Sequence, residues 1–182
     1  GDRSGPYASW PIDAVQPALS TPHGGAQVSF SGSLIENLDA FESAGWGFHG
    51  WKSRWRESNH WKTAKGNPRL DLVGFGYHHP LLPLLDDEAA RRQIGMHKGT
   101  YAAAWNAPGV PNRPYSKGFF PPENAFASWM IPALRAEGVE WALVDNIHFQ
   151  RACEGYPWTS NGGLVPPNRA DQRNPNPGDW TQ

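Results

Sequence analysis

The sequence has few of the features that mark several common classes of protein. It has a single cysteine, Cys153, in 182 residues, so it forms no internal disulfide. Its formal net charge is −1, so no overall field attracts nucleic acid or a membrane surface. Its apolar runs all fall short of the ~20 residues that a membrane-spanning helix needs, and no signal peptide opens the chain. We therefore expect no membrane partner, and the first residues fit a processed terminus or an internal fragment.

Glycine, proline and tryptophan are abundant instead, with 20, 18 and 10 residues. So many glycines and prolines predict long ordered loops. The length suits one domain or a piece of a larger one, and we expect a single domain over 1–182 with loop-rich flanks at 1–26 and 155–182. The tryptophans suit stacking on sugars or bases, and they equally suit small clusters buried under loops.

Residues 46–69 interleave tryptophans with basic side chains. Such a segment suits single-stranded nucleic acid, but it equally suits a helix with a solvated basic face and one buried aromatic edge. The sequence has no RNA-binding motif and no net positive charge, so we expect no nucleic-acid partner.

Four apolar segments predict strands, at 27–30, 70–76, 118–120 and 139–144. A helical pattern follows each of them except the last. The last run is almost continuously apolar, which is typical of a parallel strand buried on both faces. This alternation predicts an α/β fold of parallel β/α units, as an open sheet or part of a barrel.

The first two predicted helices have clear start signals. The first begins at Ser33 as N-cap, with Glu36 completing a capping box. The second covers 81–94 and has Pro83 in its first turn. We expect the following segment, 99–116, to be rich in loops.

The third unit carries the candidate site. A helical pattern begins with Asn124, Pro132 should kink or split it, and Gly138 should end it. Glu123 and Asp145 follow two neighbouring predicted strands. Because α/β sheets place their ligands at the carboxyl ends of the strands, both side chains are site candidates.

Each of these two acids also has a purely structural interpretation. Glu123 is either a carboxylate in the first turn of a helix, stabilised by the helix dipole, or a catalytic carboxylate held by a stiff Pro-Pro turn. Asp145 either caps the next element, or orients a substrate hydroxyl and shares acid/base work. Position alone leaves both pairs of alternatives open, although capping is favoured for Asp145.

Four histidines are further candidates for a binding site. His78 and His79 are adjacent, so in an extended segment they point to opposite faces and at most one faces a site. His49 and His148 are isolated in sequence. The histidines show no zinc-motif spacing, and the sequence has neither a Gly-rich phosphate loop nor a nucleophile elbow. We therefore expect no metal and no cofactor.

Several segments together resemble glycoside hydrolase family 57. G-F-F-P-P-E-N-A-F, at 118–126, resembles the family's G-F-W-x-P-E signature, and L-R-A-E-G-V-E-W-A-L-V-D, at 134–145, resembles its next helix and strand. Upstream, Y-H-H-P-L-L-P-L-L, at 77–85, resembles its T-H-x-x-L-P-L-L segment, and S-G-S-L-I-E-N-L, at 31–38, resembles an early helix. The order and spacing agree over about residues 27–150.

The resemblance implies a (β/α)7 barrel, or a portion of one, that hydrolyses or transfers α-glucosidic bonds with retention. Glu123 would be the nucleophile, and His79 would contact the sugar. The acid/base Asp would lie on a later strand, whose signature this chain lacks, and the family's first-strand motif is not visible before Gln27. Phe120 replaces the signature's Trp and His78 replaces Thr, as in divergent members.

A carbohydrate substrate would also meet aromatic and polar side chains from the loops. We expect Trp105 and Trp158 to stack on pyranose rings, with His78 and His148 as further contacts. Asp145 is a weaker candidate for the acid/base. Two alternatives are a non-catalytic carbohydrate-binding or scaffold module and a metal-dependent polysaccharide deacetylase, which requires an Asp-His-His triad that the spacing does not supply.

Overall fold

A computed structural model of the chain describes residues 4–145. Contacts divide the chain into two units, Gly1–Leu143 and Val144–Gln182, and every described helix and strand lies in the first unit. The elements follow one another in this order: α1 Gly5–Ala8, α2 Trp10–Val15, β1 Ala26–Ser29, α3 Gly32–Ser43, α4 Ser53–Glu57, β2 Leu70–Val73, α5 Asp87–Trp105, β3 Gly118–Phe119, α6 Met130–Ala136 and β4 Trp141–Ala142. Short 3-10 turns lie at Gln16–Ser20, Ser58–His60, Leu82–Leu84 and Pro122–Asn124.

The four strands pair in parallel. β1 pairs with β2 in a register that starts with Ala26 opposite Leu70, and β3 pairs with β4. A parallel bridge between Gly74 and Phe119 connects the two pairs, and the Gly74 N–H donates to the Gly118 carbonyl (2.8 Å). The prediction of an α/β fold with parallel strands is therefore confirmed. Residues 4–145 form no closed barrel.

The main core is largely aromatic and lies on one side of β1 and β2. Alternate strand residues bury their side chains there, because successive side chains of a strand point to opposite faces. Phe30 contacts three indole rings, with centroids 4.9, 5.3 and 6.1 Å away. The core draws its buried residues from four helices, from β2 and from the segments after β1 and before α4: Ile12, Val15, Phe30, Ile35, Leu38, Trp51, Trp55, Leu70, Leu72, Tyr101, Ala104 and Trp105.

Helix α3 begins two residues earlier than predicted. Its N-cap is Ser31, whose hydroxyl accepts from the Leu34 N–H (3.2 Å). The predicted N-cap, Ser33, instead donates its backbone N–H to the Tyr77 carbonyl (2.9 Å). Gly32 fits because a Cβ there would lie 2.1 Å from the Tyr77 ring. The predicted capping box is therefore wrong, since long-range packing against Tyr77 determines where the helix starts.

Helix α5 is longer than predicted. Asp86 is its N-cap and accepts from the Ala89 N–H (2.7 Å), while Pro83 belongs to a separate 3-10 turn. The helix continues to Trp105, so the loop-rich prediction for 99–116 is wrong over its first seven positions. Two glycines inside the helix, Gly95 and Gly99, face open space, so their poor helix propensity is outweighed by packing on the opposite face.

The third helix, α6, begins at Met130 rather than at Asn124. Asn124 has a φ of 53°, a left-handed conformation that cannot continue a right-handed helix. Pro132 is the third residue of α6, where a missing N–H removes no intrahelical bond, so the predicted kink is wrong. Gly138 ends the helix as predicted, with a φ of 77° and its N–H donating to the Arg135 carbonyl.

Two further predictions differ from the structure at the ends of the described region. The flank at 1–26 contains α1 and α2, each with a proline in its first turn, where proline is tolerated. β4 is not buried on both faces, because Trp141 and Leu143 are each 38% exposed. Within residues 4–145, β4 has a paired strand on one side only, which explains this exposure.

Candidate active site

Glu123 lies just past the carboxyl end of β3. The Phe120 N–H donates to the Gly74 carbonyl (2.9 Å), so the pairing with the chain that follows β2 extends one residue beyond β3. Pro121 and Pro122 come next and are buried. Their fixed φ angles turn the chain away from the sheet and leave Glu123 with 69% of its side chain exposed.

His79 reaches the same edge from the end of β2. The segment before it is held by close packing and by a hydrogen bond. A Cβ on Gly76 would lie 2.6 Å from the Pro80 ring, so only glycine fits there. The Tyr77 hydroxyl donates to the Glu36 carboxylate (2.5 Å), which ties the segment to α3.

The His79 and Glu123 side chains form a hydrogen-bonded pair, called the strand-end pair below. The His79 Nε2 lies 2.9 Å from the Glu123 Oε1. Because a carboxylate can only accept, Nε2 carries the proton in this bond. The bond orients the carboxylate through Oε1, and Oε2 takes no part in it.

The backbone of the strand-end pair is strained. Among residues 4–145, four non-glycine residues have positive φ angles, and three of them are His79 (58°), Glu123 (56°) and Asn124 (53°). Each such residue costs about 1–3 kcal/mol and persists only where the surroundings hold it. Strain of this kind concentrates at functional sites, so the backbone itself distinguishes this edge of the sheet.

Two aromatic rings, those of Phe75 and Phe120, pack beside the strand-end pair. The Phe75 ring meets the His79 ring edge to face, with centroids 5.0 Å apart, and it stacks on Phe120 at 5.8 Å. Phe75 is buried and Phe120 is half-buried. The imidazole therefore has an apolar wall on one side, which limits its rotation.

The two adjacent histidines have different partners, although the segment is a turn with His79 at positive φ rather than the extended segment that was predicted. His79 contacts Glu123, whereas the His78 ring packs edge to face on Tyr77 (4.5 Å) and the His78 backbone N–H donates to the Gln93 side-chain oxygen (2.9 Å). A contact between His78 and sugar stays a prediction. His49 is exposed in the loop after α3.

Trp105 is a core residue, which contradicts the prediction that it stacks on sugar. It is 1% exposed and packs against Phe30 and Tyr101. An indole needs an open face to bind a pyranose ring, and this face is covered because Trp105 is the last residue of α5 rather than part of a loop.

Three other predicted site residues lie outside the first unit. Asp145 follows β4, at the start of the second unit, and its role stays a prediction. His148 and Trp158 lie outside the described residues, so their predicted contacts with sugar are untested.

A polar cavity of about 800 Å³ lies at the opposite, amino ends of the strands. Asp71 faces it, and burial raises the pKa of this carboxyl, against the opposing effects of a hydrogen bond from Ser116 and the charge of Arg113. The buried Arg113 guanidinium donates to Asn59 (2.5 Å) and to the Leu70 carbonyl (2.6 Å). Glu123 is not among the residues that line this cavity. The size of the cavity therefore does not identify the candidate site.

Sequence reasoning missed the residues that hold the strand-end pair in place. Phe75 was assigned to a strand without a role, although an aromatic residue four positions before His79 could have indicated a supporting ring. The left-handed turn at Glu123 had a weak signal in Asn124, since Asn tolerates this conformation better than most residues. The bond between Tyr77 and Glu36 had no local signal, because it joins residues 41 positions apart.

The described part of the chain has neither a metal-binding cluster nor a membrane-spanning helix. Residues 4–145 contain no group of three or more His, Cys, Asp or Glu side chains that could hold a metal ion. Their helices are all too short or too polar to cross a membrane.

Parallel strands that carry an exposed carboxylate and a histidine at their carboxyl ends define an α/β protein with a strand-end site. Within this class, the chain belongs to glycosyl hydrolase family 57, whose pattern it matches over residues 14–169. The resemblance found in the sequence is thereby confirmed.

Two relatives are much longer than the chain, and it resembles a part of each. An alpha-amylase of Niallia circulans is 32% identical over 183 aligned residues, which cover 94% of this chain and 14% of the amylase. The crystal structure of a 4-alpha-glucanotransferase from Thermococcus litoralis matches with a TM-score of 0.56 and 23% identity, over 81% of this chain and 20% of that chain. The chain thus spans a small part of the length of each relative, and the structural match shows a shared fold.

Proposed function

We propose that the chain forms part of a retaining glycosidase or transglycosidase that acts on α-glucosidic bonds of an oligo- or polysaccharide, with Glu123 as the nucleophile. The observation that carries the proposal is the strand-end pair: an exposed carboxylate, oriented by a histidine, on strained backbone at the carboxyl end of a strand. Membership of the glycosyl hydrolase family and the alpha-amylase relative support the choice of an α-glucan.

The chemistry assigned to Glu123 needs an ionised carboxylate with one free direction of attack. In a retaining reaction the carboxylate attacks the anomeric carbon while a second carboxyl group protonates the leaving oxygen, and water or another sugar then releases the glycosyl enzyme. Glu123 suits the first role because its side chain is 69% exposed and the bond from His79 engages Oε1 alone.

His79 has two functions in this proposal. Its Nε2–H orients the Glu123 carboxylate in the free protein, and it is placed to contact the sugar once substrate arrives. The wall formed by Phe75 keeps the ring in position for both. Holding a reacting group in the productive geometry lowers the entropic part of the barrier.

The second carboxyl group has to lie ~5–5.5 Å from the nucleophile in a retaining enzyme. We propose that an Asp from a later strand of a longer chain supplies this group, as the family resemblance implies, and Asp145 is the weaker candidate. In the complete catalytic domain we propose that the parallel strands continue into a (β/α)7 barrel, with this chain supplying one portion.

A conservative substitution at the nucleophile tests the proposal. In a longer chain that includes the acid/base Asp, Glu123→Gln should abolish the release of reducing ends from a maltooligosaccharide, because an amide cannot attack, while tryptophan fluorescence should still report saturable sugar binding. Glu140→Gln is the matched control, since Glu140 is also exposed and pairs with Lys117 rather than with a histidine.

Each outcome has a distinct meaning. Turnover that survives Glu123→Gln contradicts the proposal. Saturable sugar binding with no turnover in any variant, wild type included, indicates the non-catalytic carbohydrate-binding module instead. The deacetylase alternative receives no support from residues 4–145, which lack the metal-binding triad that it needs.

A further inference from the structure

Four aromatic rings form a continuous row on the surface beyond the end of α3. Trp46 stacks on Phe41, with centroids 5.5 Å apart and planes 24° apart. Phe41 contacts Phe48 at 5.9 Å, and Phe48 contacts Tyr7 at 6.1 Å. We call these four residues the aromatic platform.

Three of the four platform residues are open to solvent, unlike the tryptophans of the core, and the fourth, Phe48, is half-buried and packs against the core. Trp46 is 72% exposed, and Tyr7 and Phe41 are 37% and 36% exposed. Trp51 and Trp55, a few positions further along the chain, are at most 1% exposed. Single exposed apolar residues are ordinary, but a contiguous exposed patch marks an interaction site.

The loop that presents Trp46 is held in a defined conformation. Gly45, Gly47 and Gly50 have φ angles of 73°, 97° and 66°, and Phe48 has one of 63° although it is not a glycine. The Gly50 N–H donates to the Glu42 carboxylate, which closes the loop onto α3. A surface fixed before binding loses little conformational entropy when a ligand arrives.

The aromatic platform is separate from the strand-end pair. The first turn of α3 contacts Tyr77 near the carboxyl ends of the strands, through the Ser33 N–H, while Trp46 follows the opposite end of the helix. A helix of 12 residues is about 18 Å long at 1.5 Å per residue. A ligand on the platform therefore occupies a second site rather than an extension of the first.

The size and chemistry of the aromatic platform suit a sugar chain better than a protein. From ring areas of about 150–250 Å² and the exposures above, the platform offers roughly 300 Å². A stable protein interface needs about 800 Å² from each partner. A few pyranose rings fit this area, and their C–H faces pack on the negative faces of aromatic rings.

We infer that the aromatic platform is a surface site that binds a segment of a polymeric α-glucan away from the candidate active site. The choice of an α-glucan rests on the proposed function. Trp46, backed by Phe41, is the main stacking surface, and Tyr7 adds a hydroxyl at the other end of the row. Such a site retains a long chain near the strand-end pair between successive reactions.

Native electrophoresis of the whole chain in gels that contain amylopectin tests this site. Amylopectin should retard the wild type, and Trp46→Ala should weaken the apparent affinity about tenfold, because truncating an aromatic anchor removes its stacking surface. Trp46→Tyr should restore part of the affinity. Trp10→Ala is the matched control, since Trp10 is a tryptophan of similar exposure, 64%, that is not one of the four platform residues.

Three results would overturn the inference: no retardation of the wild type, equal retardation of Trp46→Ala, or equal losses in the Trp46→Ala and Trp10→Ala variants. Turnover of a short maltooligosaccharide, measured in a longer chain that includes the acid/base Asp, should be unchanged in Trp46→Ala, because Trp46 lies away from the strand-end pair. Retardation that depends on Trp46, in a longer chain that includes the acid/base Asp and still shows no turnover, would contradict the proposed function and leave the surface site standing.

Discussion

Polar groups at the two ends of the strands are arranged in opposite ways. At the amino ends, the Arg113 guanidinium is 7% exposed and donates to Asn59, to Ser58 and to the Leu70 carbonyl. At the carboxyl ends, the strand-end pair is exposed, shares a single bond and stands on left-handed backbone. The first arrangement stabilises the fold, and the second costs stability, as we expect of a site that holds the proposed nucleophile.

The difference shows which polar residues to consider for function. In residues 4–145 every buried side-chain nitrogen or oxygen has a hydrogen-bond partner, so burial of a polar group here indicates a structural role. The cavity beside Arg113 belongs to that end of the molecule. The exposed and strained pair has little structural value, because an exposed ion pair contributes about 0–1 kcal/mol.

The largest expected effect on stability follows from breaking the buried cluster. Arg113→Met should lower the free energy of unfolding by about 3 kcal/mol, because several buried acceptors lose a charged donor. Urea denaturation measures the change. Arg92→Met, at an exposed position of α5, should change the free energy of unfolding by less than about 0.5 kcal/mol. Equal effects of the two substitutions would contradict the structural role assigned to Arg113.

Acid should act on a second buried group, His97. Its Nδ1 lies 2.7 Å from the Tyr115 hydroxyl and its Nε2 lies 2.8 Å from the Phe30 carbonyl. Burial lowers the pKa of His97 from 6.5 to about 4, so the unfolded chain takes up a proton at a higher pH than the folded one. The neutral, buried His97 therefore contributes fully to the free energy of unfolding above pH 6.5, and this contribution is lost as the pH falls towards 4.

The expected size of this loss is about 2 kcal/mol between pH 7 and pH 5. Denaturation curves of the wild type and of His97→Gln at both pH values separate this effect from that of the carboxylates. The variant should lose stability less steeply with acid, and identical slopes would show that His97 does not titrate in this way.

A smaller effect should come from the strained turn beside the strand-end pair. Asn124→Ala should cost about 1 kcal/mol more than Asn124→Gly, because alanine pays for a left-handed conformation and glycine does not. Both variants lose the same amide group. The difference between their unfolding free energies therefore reports the cost of the left-handed backbone conformation alone. Equal stabilities would mean that the turn at this position is not left-handed in solution.

The smallest effect should follow from changing the candidate nucleophile. Glu123→Gln should change the free energy of unfolding by less than about 0.5 kcal/mol, because the side chain is exposed and its bond to His79 is solvated. Thermal or urea denaturation next to the wild type measures it. A large loss would place Glu123 among the structural residues, with Arg113.

The sequence predicted the elements that depend on local signals. Strands at 27–30 and 70–76 correspond to β1 and β2, and Gly138 ends α6 as its position after an apolar stripe indicated. Glu123 was placed correctly at the end of a strand. These features follow from periodicity and from residues with restricted backbone preferences.

Features decided by distant contacts were not predicted. Helix α5 reaches Trp105 because Ile94, His97 and Tyr101 share its buried face, and this spacing was present in the sequence. The interior glycines of the helix argued against it locally, and packing overrode that preference. The contact between His79 and Glu123, which are 44 residues apart, depends on the parallel bridge between Gly74 and Phe119 and has no local signal.

Covalent trapping of the nucleophile tests the central claim most directly. A ring-fluorinated α-glucosyl fluoride forms a slowly hydrolysed glycosyl enzyme and carries a leaving group that needs no protonation, so the reaction does not depend on the acid/base residue. Peptide mass spectrometry should find the glycosyl group on Glu123 in the wild type and on no residue in Glu123→Gln. A glycosyl group on another carboxylate, or one that persists in the variant, would contradict the assignment of Glu123 as the nucleophile.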